Sequence, residues 1–274
     1  MKAKKNPSLV PYEMRKMAGS PGVCVLMPVY IVILTVAVRS PQFRETYLHI
    51  QETEFLPFWA FGGMLPAFVT LTLILGISPL FAGDIQSRTW EEFSTCVRGR
   101  DSLCRARSAA AVLFSVLVNF AYQGVTFLFG LFRGPSQNWE KAIGTVYPGT
   151  DFKMNIGAYY ALAALSIFLG SLVIAALTAY TSARSKTAVA PCAAAVLFWA
   201  VEAVFQTLGG ATPIRKYLYH INVCKAMNPV MNLYPGALAP FNSPPRAIEI
   251  MLLCFAGAVG LLLWHPAHWH RSLI

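Results

Sequence analysis

Three long stretches of this chain carry no Asp, Glu, Lys or Arg: residues 55–83, 108–132 and 154–183. Each exceeds the roughly 18 apolar residues that a helix needs to cross the hydrocarbon core of a bilayer. Only 12% of the 274 residues are charged, where an ordinary soluble domain has about 25%. These runs exclude a soluble fold, whether Rossmann-like, sandwich or disulfide-stapled. A lipid barrel is no better, because it needs alternating segments of about ten residues, and these runs are apolar on every side. The expected fold is therefore an all-α integral membrane protein.

Six transmembrane helices are predicted, at about residues 21–38, 56–81, 108–132, 156–181, 188–208 and 247–264. The fifth contains one charge, Glu202, and the sixth has Glu249 near one end. The first is too long for a removable signal peptide and lacks a small-x-small cleavage site, so it reads as a retained signal-anchor. No segment outside the spans is long enough for a second domain, and residues 1–274 are read as a single transmembrane domain.

Orientation follows the loop Lys and Arg residues. Five of the first sixteen residues are basic, namely Lys2, Lys4, Lys5, Arg15 and Lys16. Arg88, Arg98, Arg100, Arg105, Arg107, Arg184, Lys186 and Arg271 fall on the same side when six spans are counted. Both termini are accordingly expected in the cytoplasm. The net charge of +10 is then largely an orientation signal. A nucleic-acid footprint would need basic residues clustered on a soluble face, and none is visible, so no nucleic-acid partner is expected.

Three stretches between the spans carry further pattern. Residues 8–17 (SLVPYEMRKM) mix apolar residues with Glu13, Arg15 and Lys16. They read either as an amphipathic helix lying along the inner headgroups or as a positive flank that only orients the first span. Residues 84–107 hold nine charges in 24 positions. There Trp90, Phe93 and Val97 share one helical face, with Arg88, Glu91, Glu92 and Arg98 mostly opposite. Gly99 is the expected stop, with Asp101 or Ser102 capping the helix into the third span. The segment reads as a short amphipathic cytoplasmic helix or as a solvated charged loop. Residues 209–245 form an outer loop with six prolines, yet rich in Tyr, Leu, Ile, Val and Met, so it is expected to dip into the outer leaflet or pack on helix ends.

Within the spans, Asn119 and Gln123 lie one turn apart, as do Glu202 and Gln206. All four are candidates to line a polar pathway. Interhelical hydrogen bonding is the plainer reading for Asn119 and Gln123, and the two readings balance for Glu202. His265, His268 and His270 could hold a metal, but they have no Cys or acidic residue beside them. With Trp264 and Trp269 they read better as an interfacial belt. The six Cys are scattered, three of them in spans, and define no disulfide framework. No metal site is expected.

In this order, the stretches resemble the integral-membrane permease of ABC-2-type ABC transporters. The family has a basic amphipathic stretch before the first span, here EMRKM followed by AGSPGVCVLMPVYIVIL. It has a cytoplasmic F-x-x-E-x-x-x-G-T-x-E after the second span, matched here by Phe81, Asp84, Thr89 and Glu91. A Pro-x-x-Arg opens its third span, matched here by Arg100. AMNPVMNLYPGAL resembles its proline-containing outer loop before the last span. The chain departs from the pattern at Arg88, where the family has Gly, and at Val97, where it has Pro.

The resemblance implies an export permease without catalytic residues or a cofactor of its own. The chain has no G-x-x-x-x-G-K-S/T sequence to cradle ATP phosphates, so ATP and Mg would sit on a separate ATPase subunit, present in two copies. Asp84, Arg88, Thr89, Trp90, Glu91, Glu92, Phe93 and Arg100 would form the segment that couples to it. A second permease copy or a paralogous one would complete the pathway, in the plasma membrane of a bacterium. Two other classes compete: an intramembrane protease or lipid-modifying enzyme, and a non-transporting accessory or immunity protein. The enzyme reading lacks a His within a turn of Glu202. The mostly apolar spans do not specify a substrate.

Overall fold

The structure is a computed structural model that describes residues 9–39, 64–87, 97–133, 139–146 and 153–207, together with Val223, Met227, Ala256 and Gly257. The described residues are helical apart from turns and one isolated bridge between Ala142 and Asn155. Three helical segments are long and apolar enough to cross a membrane: Met64–Gln86, Leu103–Phe129 and Ile156–Arg184. A bent pair, Leu9–Ala18 with Pro21–Val36, passes the same test when taken together. The expected sixth span and the proline-rich outer loop lie outside the described residues, apart from those four isolated positions.

Helix α1 (Leu9–Ala18) meets α2 (Pro21–Arg39) at a bend of 59°. The bend is local chemistry. Gly19 N donates to Arg15 O at 2.9 Å and closes α1, and Pro21 opens α2 at a position whose N–H would have no intrahelical partner anyway. The stretch before the first span is thus a helix of its own, with Glu13 and Met17 buried and Leu9 and Tyr12 exposed.

The segment at the expected second span is built of two helices joined through one residue. Helix α3 (Met64–Ile77) gives way at Ser78 to α4 (Pro79–Gln86), which carries the chain past Asp84. Asp84 therefore stands in the last turn of a helix rather than at the start of a loop. Helix α5 (Val97–Arg133) is continuous through Gly99, Asp101 and Ser102, so the expected stop and cap do not occur there. Gly99 falls in the first turn, where backbone N–H groups lack intrahelical acceptors in any helix, and its low propensity costs little there. The charged front of α5 and its apolar body form one rod.

A short connection with α6 (Ile143–Val146) leads to α7 (Ile156–Arg184). Asn155 caps α7 by accepting from Ala158 N at 2.8 Å, and Ile143 N to Met154 O and Ile156 N to Lys141 O, both 2.9 Å, fasten the connection. Helix α8 (Val189–Thr207) follows α7 and packs on it.

α7 is the centre of the bundle, packed against α3, α4, α5 and α8, while α1 packs on α5. The core includes Leu65, Val69, Leu73, Ile77, Phe114 and Ile167. Gly76 lets α3 approach α5 closely: a Cβ there would lie 2.7 Å from Phe114 Cζ. Val25, Val29, Val32 and Val36 on α2 and Leu113, Leu117 and Phe120 on α5 are exposed. An apolar surface of that extent suits hydrocarbon better than water.

Candidate functional site

Three uncharged runs end on charged residues that come together in space. The run 17–38 follows Lys16, 55–83 stops at Asp84, and 108–132 begins after Arg107. At one end of the bundle, Arg107 Nε lies 3.3 Å from Glu13 Oε1, Arg107 Nη2 pairs with Asp84 Oδ2, and Lys16 Nζ donates to Asp84 Oδ1 at 2.8 Å. The Arg107 guanidinium also lies over the Phe81 ring, 5.4 Å from its centroid.

Each group has a local reason to be there. Glu13 and Met17 are one turn apart on α1 and form its buried face, while Arg15 and Lys16 occupy its last turn, where the helix dipole favours cations. Asp84 sits in the last turn of α4, where the same dipole opposes a carboxylate, so it needs cations supplied from elsewhere. Arg107 supplies one from α5. Arg107 is 2% exposed and Glu13 2%, so neither charge can rely on water. Glu13 Oε2 and Arg107 Nη1 are buried without a hydrogen-bond partner among the described residues. The junction holds α1, α4 and α5 together at one end of the bundle.

A second polar cluster lies inside the bundle. Tyr30 OH and Thr126 Oγ1 are 2.5 Å apart, Thr126 also donates to Tyr122 O at 2.8 Å, and Thr72 Oγ1 and Tyr122 OH are 2.8 Å apart. The Tyr30 and Tyr122 rings meet edge to face at 4.9 Å. These bonds join α2, α3 and α5, and none of the four residues stands out in the sequence because hydroxyls do not interrupt an apolar run.

Of the residues singled out from sequence, Asp84 is central to the junction. Arg100 lies in the first turn of α5. Arg88, Thr89, Trp90, Glu91, Glu92 and Phe93 lie outside the described residues. Asn119 is buried, its Nδ2 donating to Ser115 O at 2.9 Å and to Ser171 Oγ at 2.7 Å. Gln123 Nε2 donates to Ala164 O at 3.1 Å. The two amides thus tie α5 to α7. Glu202 and Gln206 lie on α8. Glu13, Lys16 and Arg107 were not expected as a site; the signal for Lys16 and Arg107 was their position at the edges of uncharged runs, and Glu13 carries no such signal. Comparison with known families, curated proteins and solved structures finds no match for this chain.

Proposed function

We propose that this chain is the membrane-spanning permease subunit of an ABC-2-type ABC transporter. It has six spans and both termini in the cytoplasm of a bacterial cell, and it is driven by a separate ATPase that carries ATP and Mg. The observation that carries this reading is the ionic junction of Glu13, Lys16, Asp84 and Arg107. It ties the helix before the first span to the end of the second and the start of the third. A push on the segment between the second and third spans reaches α5 through Arg107 and α1 through Glu13 and Lys16. That segment, with Asp84, Arg88, Thr89, Trp90, Glu91, Glu92, Phe93 and Arg100, is where a partner ATPase docks, and a rigid-body change of the bundle follows.

Two ATPase copies and a second permease, identical or paralogous, complete the assembly. Asn119 and Gln123 hold the bundle, and Glu202 and Gln206, one turn apart on α8, are the pathway-lining residues. The chain does no chemistry of its own.

Purification from native membranes in mild detergent tests the reading. An ATPase subunit should accompany the chain, and replacing Trp90, Glu91 and Glu92 together should release it. If native membranes yield the intact chain with no ATPase at any detergent strength, the reading fails.

A further inference from the structure

Pro79 opens α4 and has no N–H, and Ser78 before it makes no side-chain capping bond; its φ of −51° and ψ of −43° are helical. The Ser78 hydroxyl is buried without a partner among the described residues. The first N–H groups of a helix need an acceptor from outside it. Here the acceptor comes from α7. Phe81 N and Ala82 N both donate to Ser182 Oγ at 3.2 Å, and Ser182 donates its own proton to Ser78 O at 2.7 Å. A hydroxyl has one proton and two lone pairs, and Ser182 uses all three.

Its neighbours on α7 behave differently: Thr178 and Thr181 donate to Ile174 O at 2.7 Å and Leu177 O at 2.9 Å, within their own helix. Further along, Ala188 N lies 3.4 Å from Gln86 Oε1, a second tie between α4 and the chain beyond α7.

The two residues whose N–H groups Ser182 receives stand next to the junction. The Phe81 ring lies beneath Arg107, and Asp84 follows three residues later, nearly one turn on. Side-chain direction changes by about 100° per residue around a helix. Ser78 is itself helical, with its N–H on Ile74 O at 3.0 Å, so the phase that decides which side Asp84 faces passes from α3 into α4, and what the missing N–H of Pro79 leaves open is the tilt of α4. We infer that Ser182 is the positioning residue for Asp84: by holding Phe81 N, Ala82 N and Ser78 O from another helix, it fixes the tilt of α4 past Pro79, and with it the reach of Asp84 to Arg107 and Lys16, and links α7 to the junction that holds α1. This inference deepens the reading of the junction and rests on it, but not on any transported substrate.

Hydrogen exchange followed by mass spectrometry on the full chain in detergent micelles tests it. Ser182→Ala should speed exchange about tenfold in residues 79–87 and, at a distance, in residues 9–18, with residues 103–129 unchanged. Ser182→Cys, similar in shape but a weaker acceptor, should give intermediate rates in both segments. In an Asp84→Asn background, Ser182→Ala should add nothing at residues 9–18, which an unrelated loss of packing would not reproduce. Faster exchange confined to residues 79–87 in both Ser182 variants overturns the positioning role and leaves only a local cap. Wild-type exchange at residues 9–18 in Asp84→Asn alone is a different failure, because it removes the junction itself.

Discussion

Arg107 and Glu13 are 94 positions apart in sequence and meet at 3.3 Å through Nε, and the same guanidinium pairs with Asp84 through Nη2. The planar fork of arginine can serve two carboxylates in two directions at once, which a lysine ammonium on a flexible stem does poorly. Among the described residues, two acids and two bases make the cluster neutral. The neutrality is what makes its burial tolerable, because an unpaired charge in such a place costs several kcal/mol.

Arg107→Met should therefore be severe. It leaves Glu13 buried without its counter-charge and takes one of its cations from Asp84, and it should lower stability by about 3–5 kcal/mol, measured by unfolding in mixed micelles. Replacing the three buried members together with apolar residues (Glu13→Leu, Asp84→Leu, Arg107→Met) should restore most of that loss, since Lys16, partly exposed, can turn to water. A triple variant as unstable as the single one would mean that shape, not charge, holds the junction.

The positions of these residues are legible in the sequence, but their pairing is not. The uncharged runs show where Lys16, Asp84 and Arg107 stand relative to the spans. Which groups meet depends on the direction and rotation of each helix, and two local features act on them: the 59° bend before α2 and the N–H missing at Pro79. Hydropathy registers neither. The short-range signals at Gly99, Asp101 and Ser102 also mislead, because the apolar body of α5 extends its helix back through them.

The hydroxyl cluster should behave as an interaction between helices. Tyr30→Phe and Thr126→Val each remove one side of the 2.5 Å contact that joins α2 to α5. A double-mutant cycle should give a coupling of about 0.6 kcal/mol and no more than about 1.7, the range measured for hydrogen bonds between membrane helices. A coupling near zero would show that Thr126 is satisfied by Tyr122 O alone.

Gly76 is a close-approach position. A methyl there would crowd the Phe114 ring, with 2.7 Å to Cζ. Gly76→Ala should cost about 1–3 kcal/mol through overpacking, again by unfolding in micelles. Phe114→Leu in the same chain should recover part of it, because the smaller side chain gives α3 room. Unaltered stability in Gly76→Ala would show that the ring can swing aside.

Asn119 separates a packing role from a pathway role. Both protons of its amide NH2 are used, on Ser115 O and Ser171 Oγ, its Oδ1 faces Gln123 Nε2 at 3.5 Å, and Ser171 in turn donates to Phe168 O at 2.7 Å. A side chain held this way contributes to the joint between α5 and α7 and presents little free polarity to a passing molecule. Asn119→Leu should lower stability by about 1–2 kcal/mol while leaving activity per folded molecule near wild type in a reconstituted assembly. Glu202→Gln should do the reverse, changing activity with little change in unfolding. The first follows because a donor already engaged inside the protein has little left to offer a substrate, the second from the proposed pathway role of Glu202. Activity lost in Asn119→Leu at unchanged stability would move Asn119 from the joint to the pathway.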